Sequence, residues 1–233
     1  MASSADAGPP LAIDDPGVLE PGQWELIGAA TFARSDAGHA AELPLADISY
    51  GLTPNTQISA AYPYVFSNPA DETATSDFGN LSVGFKWRFF ESERLQVAFA
   101  PGVTFGISLN AAKVGIGDDE HIELLPINFQ YALGGDWTLN GEIGLALVHQ
   151  DEDEWAYGLA IGHPFGNRTQ LMFELYGATD SDLDDNVLNF HVGIDVALTG
   201  ALHVLAAAGA GLSAPTGADK LDLDLYLGLQ YFK

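Results

Sequence analysis

The chain has 233 residues, of which 47% are hydrophobic and none is cysteine, so it offers neither a disulfide framework nor a thiolate metal site. No stretch approaches the roughly 18 consecutive apolar residues of a membrane-spanning helix. Asp and Glu number 32 against 8 Lys and Arg, giving a net charge of −24, which excludes nucleic-acid binding through phosphate neutralisation.

The chain begins with a polar stretch in which prolines stand at positions 9, 10, 16 and 21. Prolines so closely spaced remove backbone donors and disfavour both helices and central strands. We therefore expect residues 1–21 to form a flexible segment that precedes the folded domain.

From residue 22 onward the sequence predicts β-strands, because apolar and polar residues alternate with a period of two. The last stretch, LDLDLYLGLQYFK, places leucine at every second position from Leu221 to Leu229. The predicted strands cover about 22–34, 40–51, 56–65, 78–90, 94–106, 121–133, 136–148, 154–164, 168–178, 186–199, 201–213 and 220–233. These strands of about 10–14 residues exceed the ~5–6 residues usual in globular proteins and suit tilted membrane strands, which need about 9–11.

The connections between the predicted strands alternate in length along the chain. Tight turns such as ESER and LTGA follow the even-numbered strands, and longer acidic loops such as ISLNAAKVGIGDDE and HQDEDE follow most odd-numbered strands. Short turns at one end and long loops at the other are typical of outer-membrane barrels. The pattern therefore predicts an all-β fold, a transmembrane antiparallel up-and-down β-barrel of about 12 strands.

Aromatic residues lie near both ends of the predicted strands, on the same parity as the aliphatic residues. Two belts of this kind flank the apolar band of membrane barrels at the lipid–water interfaces. The predicted girdle consists of Trp24, Tyr50, Trp87, Tyr131, Trp137 and Tyr231 at the short-turn end, and of Tyr62, Tyr64, Trp155 and Tyr157 at the loop end. The leucines are therefore predicted to face lipid.

The opposite parity is rich in amides, carboxylates and glycine, which suits the inside of a barrel better than a soluble surface rich in Lys and Glu. The residues predicted to line the lumen are Glu25, Asp47, Lys86, Arg88, Asn128, Gln130, Asn140, Glu142, Glu174, His191, Asp195, Asp222 and Asp224. Buried charges need partners, so we expect Lys86 and Arg88 to form salt bridges with Asp47 and Glu25 near the short-turn end. The excess of lumenal carboxylates predicts a weak preference for cations.

Two further groups of residues suggest chemistry. Asp180, Asp182 and Asp184, in the loop DSDLDDN, are candidate ligands for a divalent cation, although solvated loop carboxylates explain the same run of acids. Glu174, His191 and Asp195 fall on the inward faces of neighbouring strands, where such a trio can orient a base or ligate a metal. A histidine in a polar network is the simpler explanation, and without a serine or cysteine nucleophile beside a base we expect neither an enzyme nor a cofactor.

Six segments give the chain a family resemblance: PGVLEPGQWEL, DISYGLTPNTQISAAYPY, GNLSVGFKWRFF, LNGEIGL, YGLAIGHPF and LGLQYF, spread over residues 16–233. On these segments the chain resembles a family of bacterial outer-membrane barrels linked to the meta-cleavage pathway of phenol degradation. The resemblance implies a porin-like transporter and supplies no catalytic residues.

Taken together, the sequence predicts a flexible periplasmic N-terminal segment over residues 1–21 and an outer-membrane barrel over residues 22–233. We expect a porin-like channel for passive diffusion of small solutes, with aromatic or hydrophobic compounds implied by the family resemblance. The alternative is a closed structural or adhesion barrel that acts through its acidic loops, with a lumen plugged by its own side chains and the N-terminal segment. The expected partners are outer-membrane lipid, lipopolysaccharide, small solutes and, during biogenesis, the barrel-assembly machinery, with no nucleic acid.

Overall fold

The computed structural model describes residues 8–106, 116, 121–148 and 152–233, which form one antiparallel β-barrel. Its strands are Trp24–Ser35 (β1), Gly38–Thr53 (β2), Thr56–Pro69 (β3), Thr75–Phe78 (β4), Leu81–Glu91 (β5), Leu95–Phe99 (β6), Gly102–Phe105 (β7), His121–Gly134 (β8), Trp137–Val148 (β9), Glu154–Phe165 (β10), Thr169–Asp180 (β11), Asn186–Ala197 (β12), Leu202–Ser213 (β13) and Leu223–Phe232 (β14). Most of the predicted loop ISLNAAKVGIGDDE and the first half of HQDEDE lie outside the described residues.

The fourteen strand segments make twelve barrel strands, which confirms the predicted fold. Both β4 and β5 pair with β3, and both β6 and β7 pair with β8, so each of these couples is one interrupted barrel strand. The second interruption falls at Ala100 and Pro101. Pro101 has no N–H to donate to the ladder, although its carbonyl accepts the N–H of Phe85 at 2.9 Å.

The first and last strands close the barrel. They pair antiparallel from Glu25 opposite Phe232 to Arg34 opposite Leu223. The connections at residues 54–55, 92–94, 135–136, 166–168 and 198–201 are short and lie at the end where β1 begins and β14 ends, which is called the short-turn end below. The two-residue connection 36–37 between β1 and β2 is the exception and lies at the other end, where the other connections between the barrel strands are longer. The opposite end is called the loop end. In the part of the chain that the structure describes, no helix is long and apolar enough to cross a membrane.

The outer face of the barrel is apolar and exposed. On β14 the side chains of Leu225, Leu227 and Leu229 are 39%, 60% and 54% exposed, and aliphatic and aromatic side chains of the other strands are exposed in the same way. A water-soluble monomer rarely exposes a continuous apolar surface of this extent. In a membrane, this face is the one that contacts the acyl chains.

The ten residues predicted for the aromatic girdle all lie on the outward parity of their strands. Six are exposed: Trp24, Trp87, Tyr131, Trp137, Trp155 and Tyr231. Tyr50, Tyr62, Tyr64 and Tyr157 are half-buried against neighbours on the same face. At the short-turn end the rings of Trp24 and Tyr50 lie 4.5 Å apart, and at the loop end those of Tyr62 and Phe78 stack at 5.0 Å.

The N-terminal segment differs from the flexible periplasmic lead-in predicted for residues 1–21. Residues 8–20, called the inner segment below, run from the short-turn end into the barrel, where Leu11 and Ile13 are only 7% and 3% exposed. The prolines rule out a helix or a ladder strand, but they do not prevent side chains of the wall from binding the backbone between them. Residues 1–7 lie outside the described part of the chain.

A charge placed in the middle of the apolar band tests the orientation of the barrel wall. Leu227→Arg is expected to lower the free energy of unfolding by about 2–4 kcal/mol, because an Arg at the bilayer mid-plane loses its hydration or distorts the lipid. Leu183→Arg, at a leucine in the turn between β11 and β12 that is 67% exposed, is the matched control, with an expected change of at most about 0.5 kcal/mol. Guanidinium unfolding in lipid vesicles measures both, and equal losses would contradict the lipid-facing assignment.

Candidate functional site in the barrel lumen

Successive side chains of a strand point to opposite faces of the sheet, so the polar side chains of each strand point into the lumen. Twelve of the thirteen predicted lining residues stand on inward positions: Glu25, Asp47, Lys86, Arg88, Asn128, Gln130, Asn140, Glu142, Glu174, His191, Asp195 and Asp224. Asp222 differs, because β14 begins only at Leu223 and the Asp222 side chain is exposed beyond the wall. At this rim the Asp222 N–H still bonds to the carbonyl of Arg34 at 2.8 Å, and the Leu221 carbonyl accepts the N–H of Gly211 at 2.7 Å.

A buried carboxylate–imidazole–carboxylate cluster lies at mid-height. His191 Nδ1 donates to Glu174 Oε2 at 3.0 Å, and its Nε2 donates to Asp224 Oδ2 at 3.0 Å. The Tyr176 ring stacks on His191 at 4.8 Å and its hydroxyl donates to Asp224 Oδ2 at 3.4 Å. His191 reaches Asp224 across β13 because Gly209 stands between them, where a Cβ would overlap the imidazole ring.

Of the predicted trio of Glu174, His191 and Asp195, the structure brings only the first two together. Glu174 and His191 are in contact, but Asp195 lies four residues further along β12, about 13 Å away. Its carboxylate instead accepts a bond from His203 Nδ1 at 2.9 Å, on the neighbouring strand. The sequence pattern could not distinguish Asp195 from Asp224, because which carboxylate meets His191 depends on the register of three strands.

Glu174 also binds the backbone of the inner segment. Its side chain is fully buried, and its Oε2 and Oε1 accept the N–H groups of Ala12 and Ile13 at 3.0 and 2.8 Å. Together with the bond from His191, the carboxylate receives three donors. A buried carboxylate is stable only when its oxygens are satisfied in this way, so the inner segment completes the coordination of Glu174.

Asp14 of the inner segment is held by three side chains of the wall, one each on β5, β8 and β9. Lys86 Nζ forms a salt bridge with its carboxylate at 2.8 Å. Glu142 Oε2 accepts the Asp14 N–H at 3.1 Å, and Asn128 Nδ2 donates to the Asp14 carbonyl at 3.1 Å. Asn128 also bonds to Glu142 at 2.6 Å, so these wall residues form one network around Asp14.

The salt-bridged layer predicted between Lys86, Arg88, Asp47 and Glu25 is wrong in its pairing. Lys86 pairs with Asp14, while Arg88 pairs with Glu91 at 3.2 Å on its own strand. Glu25 accepts a bond from Gln230 at 2.9 Å. The prediction failed because it considered only residues of the wall, and the inner segment supplies a carboxylate that reaches Lys86 first.

Two apolar side chains seat the inner segment against the wall. Leu11 and Ile13 pack with Ala160 and Met172 in one buried cluster. The wall is recessed there by glycine: a Cβ at Gly158 would overlap Ile13 Cγ2. Sequence analysis missed this contact, although Leu11 and Ile13 stand out as two alternating apolar residues in an otherwise polar and proline-rich stretch.

A second apolar cluster lies inside the barrel, where the sequence predicted polar residues. Ile27 and Ala29 on β1 pack with Leu205 on β13, and Leu45 and Tyr226 flank them. These residues share the inward parity with Glu25 and Asp224 on their strands. The inner segment contacts wall residues on strands from β3 to β12, and this cluster lines the sector from β13 to β2, so the two together narrow the lumen.

Below the inner segment lies a cavity of about 750 Å³ that reaches the short-turn end, called the vestibule below. Its ionisable lining consists of Asp14, Asp15, Glu25, Asp47, Asp195, Lys86 and His203. A smaller cavity of about 340 Å³ lies higher, between β2, β3, β5 and β7. The vestibule is therefore an acidic chamber closed above by the inner segment.

The predicted divalent-cation ligands are not brought together. Asp180 Oδ1 accepts the N–H groups of Asp184 and Asp185 at 2.8 and 3.2 Å, which makes it a turn residue of the β11–β12 connection. Asp182 and Asp184 are exposed. Among the residues that the structure describes, no group of three or more His, Asp or Glu side chains is placed to hold a metal ion.

Several solved structures of outer-membrane proteins have a similar fold. An outer membrane channel from Pseudomonas putida F1 superposes with a TM-score of 0.77 at 13% identity, over 96% of this chain and 100% of that chain. KdgM porin gives 0.62 at 9% identity over 89% and 98% of the two chains. The translocator domain of autotransporter NalP from Neisseria meningitidis gives 0.64 at 13% identity over 92% and 90%. At these identities the likeness concerns the fold.

Sequence comparison identifies the family. No curated protein matches the chain significantly. A family model described as "Putative MetA-pathway of phenol degradation" matches residues 23–230, which is nearly the whole barrel. The apolar outer band and the fold are those of a protein that resides in the bacterial outer membrane. The chain therefore belongs to the MetA-pathway family of phenol degradation, and it is an outer-membrane β-barrel of twelve strands.

Proposed function

We propose that the chain is an outer-membrane channel through which small solutes pass by diffusion. The observation that carries the proposal is the vestibule, a polar cavity of about 750 Å³ inside a membrane barrel. Barrels of about eight strands are filled by side chains or hold one ligand, whereas 16–18 strands leave an open aqueous channel, so twelve strands suit a narrow conduit. The channel and the porin of similar fold support this function.

The charge of the vestibule supports a preference for cations. Five carboxylates line it, against one lysine and one histidine, and the lysine is already paired with Asp14. Rings of carboxylates raise the local concentration of cations and repel anions. The preference is expected to be weak because much of the chamber is also lined by amides and hydroxyls, which attract neither sign of charge.

The solute class follows from the family description and from the apolar part of the lining. The family is described by a pathway of phenol degradation, which points to small aromatic compounds. Leu19, Met172 and Phe232 give the vestibule an apolar surface beside its carboxylates. A chamber with both characters accommodates a small aromatic solute that carries a polar group, such as a phenol.

A closed structural barrel is the second candidate, and the inner segment across the lumen is the observation that favours it. Such a barrel would act through the acidic loops at the loop end, where Glu152, Asp153, Asp182, Asp184 and Asp185 lie in the described residues. Exposed carboxylates at this position suit divalent cations that bridge to lipopolysaccharide phosphates.

Conductance separates the two candidates. The purified chain in a planar lipid bilayer is expected to give discrete steps of current, because the vestibule and the smaller cavity above it leave space for water and ions inside the barrel. A heat-dependent shift in gel mobility confirms that the protein used is folded. Persistent electrical silence from folded protein would contradict the channel and support the structural barrel.

One vestibule carboxylate tests the cation preference. A unit charge about 8 Å from a passing ion in water contributes about 0.5 kcal/mol, which salt at about 0.1 M roughly halves. Because the cation is attracted and the anion repelled by this amount, Asp47→Asn is expected to lower the cation-to-anion permeability ratio by about twofold. Reversal potentials in a KCl gradient measure the ratio. Asp182→Asn removes an exposed carboxylate outside the wall and is expected to leave it unchanged. A wild-type reversal potential that favours chloride would contradict the cation preference itself.

A further inference from the structure

The inner segment is bound in the lumen by side chains, which raises the question of whether it can leave. Resting on the proposed channel function, we infer that the wall carries a peptide-binding site and that the inner segment is a releasable gate bound there. Glu174 is the residue that recognises its backbone, and Lys86 recognises its acidic side chain. The ligand class is a short peptide with two alternating apolar residues followed by an acid, here Leu11, Ile13 and Asp14.

The barrel ladder does not depend on the inner segment. β1 begins at Trp24, whose N–H donates to the carbonyl of Lys233 at 2.9 Å, and the closing ladder continues from there to Arg34. The backbone of residues 12–14 bonds to side chains of the wall, and the Leu11 N–H bonds to the carbonyl of Gly8 within the segment, so none of these bonds goes to a strand edge. Its departure therefore breaks no pair of the sheet, and the twelve barrel strands remain closed without it.

The recognition chemistry is specific for a peptide backbone. The two oxygens of Glu174 accept two consecutive N–H groups, which requires that neither residue 12 nor residue 13 be proline. The side chains on either side are selected by shape, since Gly158 and Gly193 leave hollows for Ile13 and Leu11. A peptide fits the site only if it has two consecutive backbone N–H groups for Glu174 and apolar side chains that fit the two hollows.

Electrostatic repulsion weakens the binding of the inner segment to the wall. The inner segment carries Asp14, Asp15 and Glu20 and no Lys or Arg. The wall contributes Glu25 and Asp47 at the vestibule and Glu142 beside Asp14. Like charges in a confined space oppose binding, so the hydrogen bonds and the two apolar contacts must overcome an unfavourable field.

The path of release leads toward the short-turn end. The inner segment is tethered there, where the Gly22 N–H donates to the carbonyl of Gly51 at 2.8 Å and the Gly51 N–H donates to the carbonyl of Gln23 at 3.0 Å. Gly8, the first described residue, lines the vestibule together with Pro9. The segment thus enters from the short-turn side, turns at mid-height and points back, so it can withdraw through the vestibule without crossing the loop end.

Weakening the backbone contact should open the channel. Glu174→Gln replaces one acceptor oxygen by a donor NH₂ group, and the fraction of time spent open is expected to rise by about tenfold, as for the loss of hydrogen bonds to a charged group. Glu42→Gln is the matched control, because Glu42 is also a lumenal carboxylate but its bond goes to Thr31 of the wall. Single-channel recording measures both variants, and an unchanged open fraction in Glu174→Gln would contradict the gate.

A disulfide that ties the inner segment to the wall gives the opposite test, and it applies even if Glu174→Gln fails to fold. The natural chain has no cysteine, so the double variant Leu11→Cys/Gly193→Cys contains only the designed pair. A Cβ at Gly193 would lie 3.0 Å from Leu11 Cδ2, so the two side chains are adjacent. A disulfide requires the Cβ of residue 11 to approach that of residue 193 to about 3.8 Å. Oxidation is expected to silence the channel and reduction to restore its current, while each single variant responds to neither.

The outcomes distinguish the gate from the channel. Equal current from the oxidised and reduced double variant, with the cross-link verified by mass, would overturn the gate and leave the channel in place. Silence from the wild type, from Glu174→Gln and from the reduced double variant would overturn the channel. If the two cysteines in folded protein join neither as a disulfide nor through a short bifunctional thiol cross-linker, the site is overturned, because Leu11 would then not lie beside Gly193.

Discussion

The structure depends on one constraint, that no backbone N–H or C=O may be left unpaired in hydrocarbon. Closure of β1 on β14 satisfies this constraint, because it removes both edges of the sheet. Once the sheet is closed, each strand must turn alternate side chains to lipid and to the lumen. The same requirement explains why leucines cover the outside and why carboxylates and amides are forced together inside.

Bringing ionisable side chains together inside the barrel creates a second demand, since buried charges need partners. The wall supplies some of these partners itself: His191 bridges Glu174 and Asp224. The wall does not supply all of them. Glu174 can accept further hydrogen bonds, and no carboxylate of the wall is bonded to Lys86. The inner segment provides both missing partners, the first through two backbone N–H groups and the second through Asp14.

The arrangement of charges and contacts inside the barrel bears on how solutes pass through it. The carboxylates of the vestibule are placed to attract cations, yet the same acid excess disfavours the anionic inner segment. The segment stays in place through directional hydrogen bonds and through the packing of Leu11 and Ile13 in recesses of the wall. Closure and selectivity therefore depend on different physical interactions, and one can change without the other.

The strands, their number, and their inward and outward faces can be predicted from the amino-acid sequence, because they follow from a local period of two and from the turn residues between the strands. The sequence also named Glu174 and His191. The partners of these side chains became known from the folded barrel: His191 bonds to Asp224 rather than Asp195, Lys86 pairs with Asp14, and Ile27 packs against Leu205 inside. Ala12 and Glu174 are 162 positions apart. Such contacts are set by barrel register and by the path of a segment without periodicity, and neither leaves a local trace in the sequence.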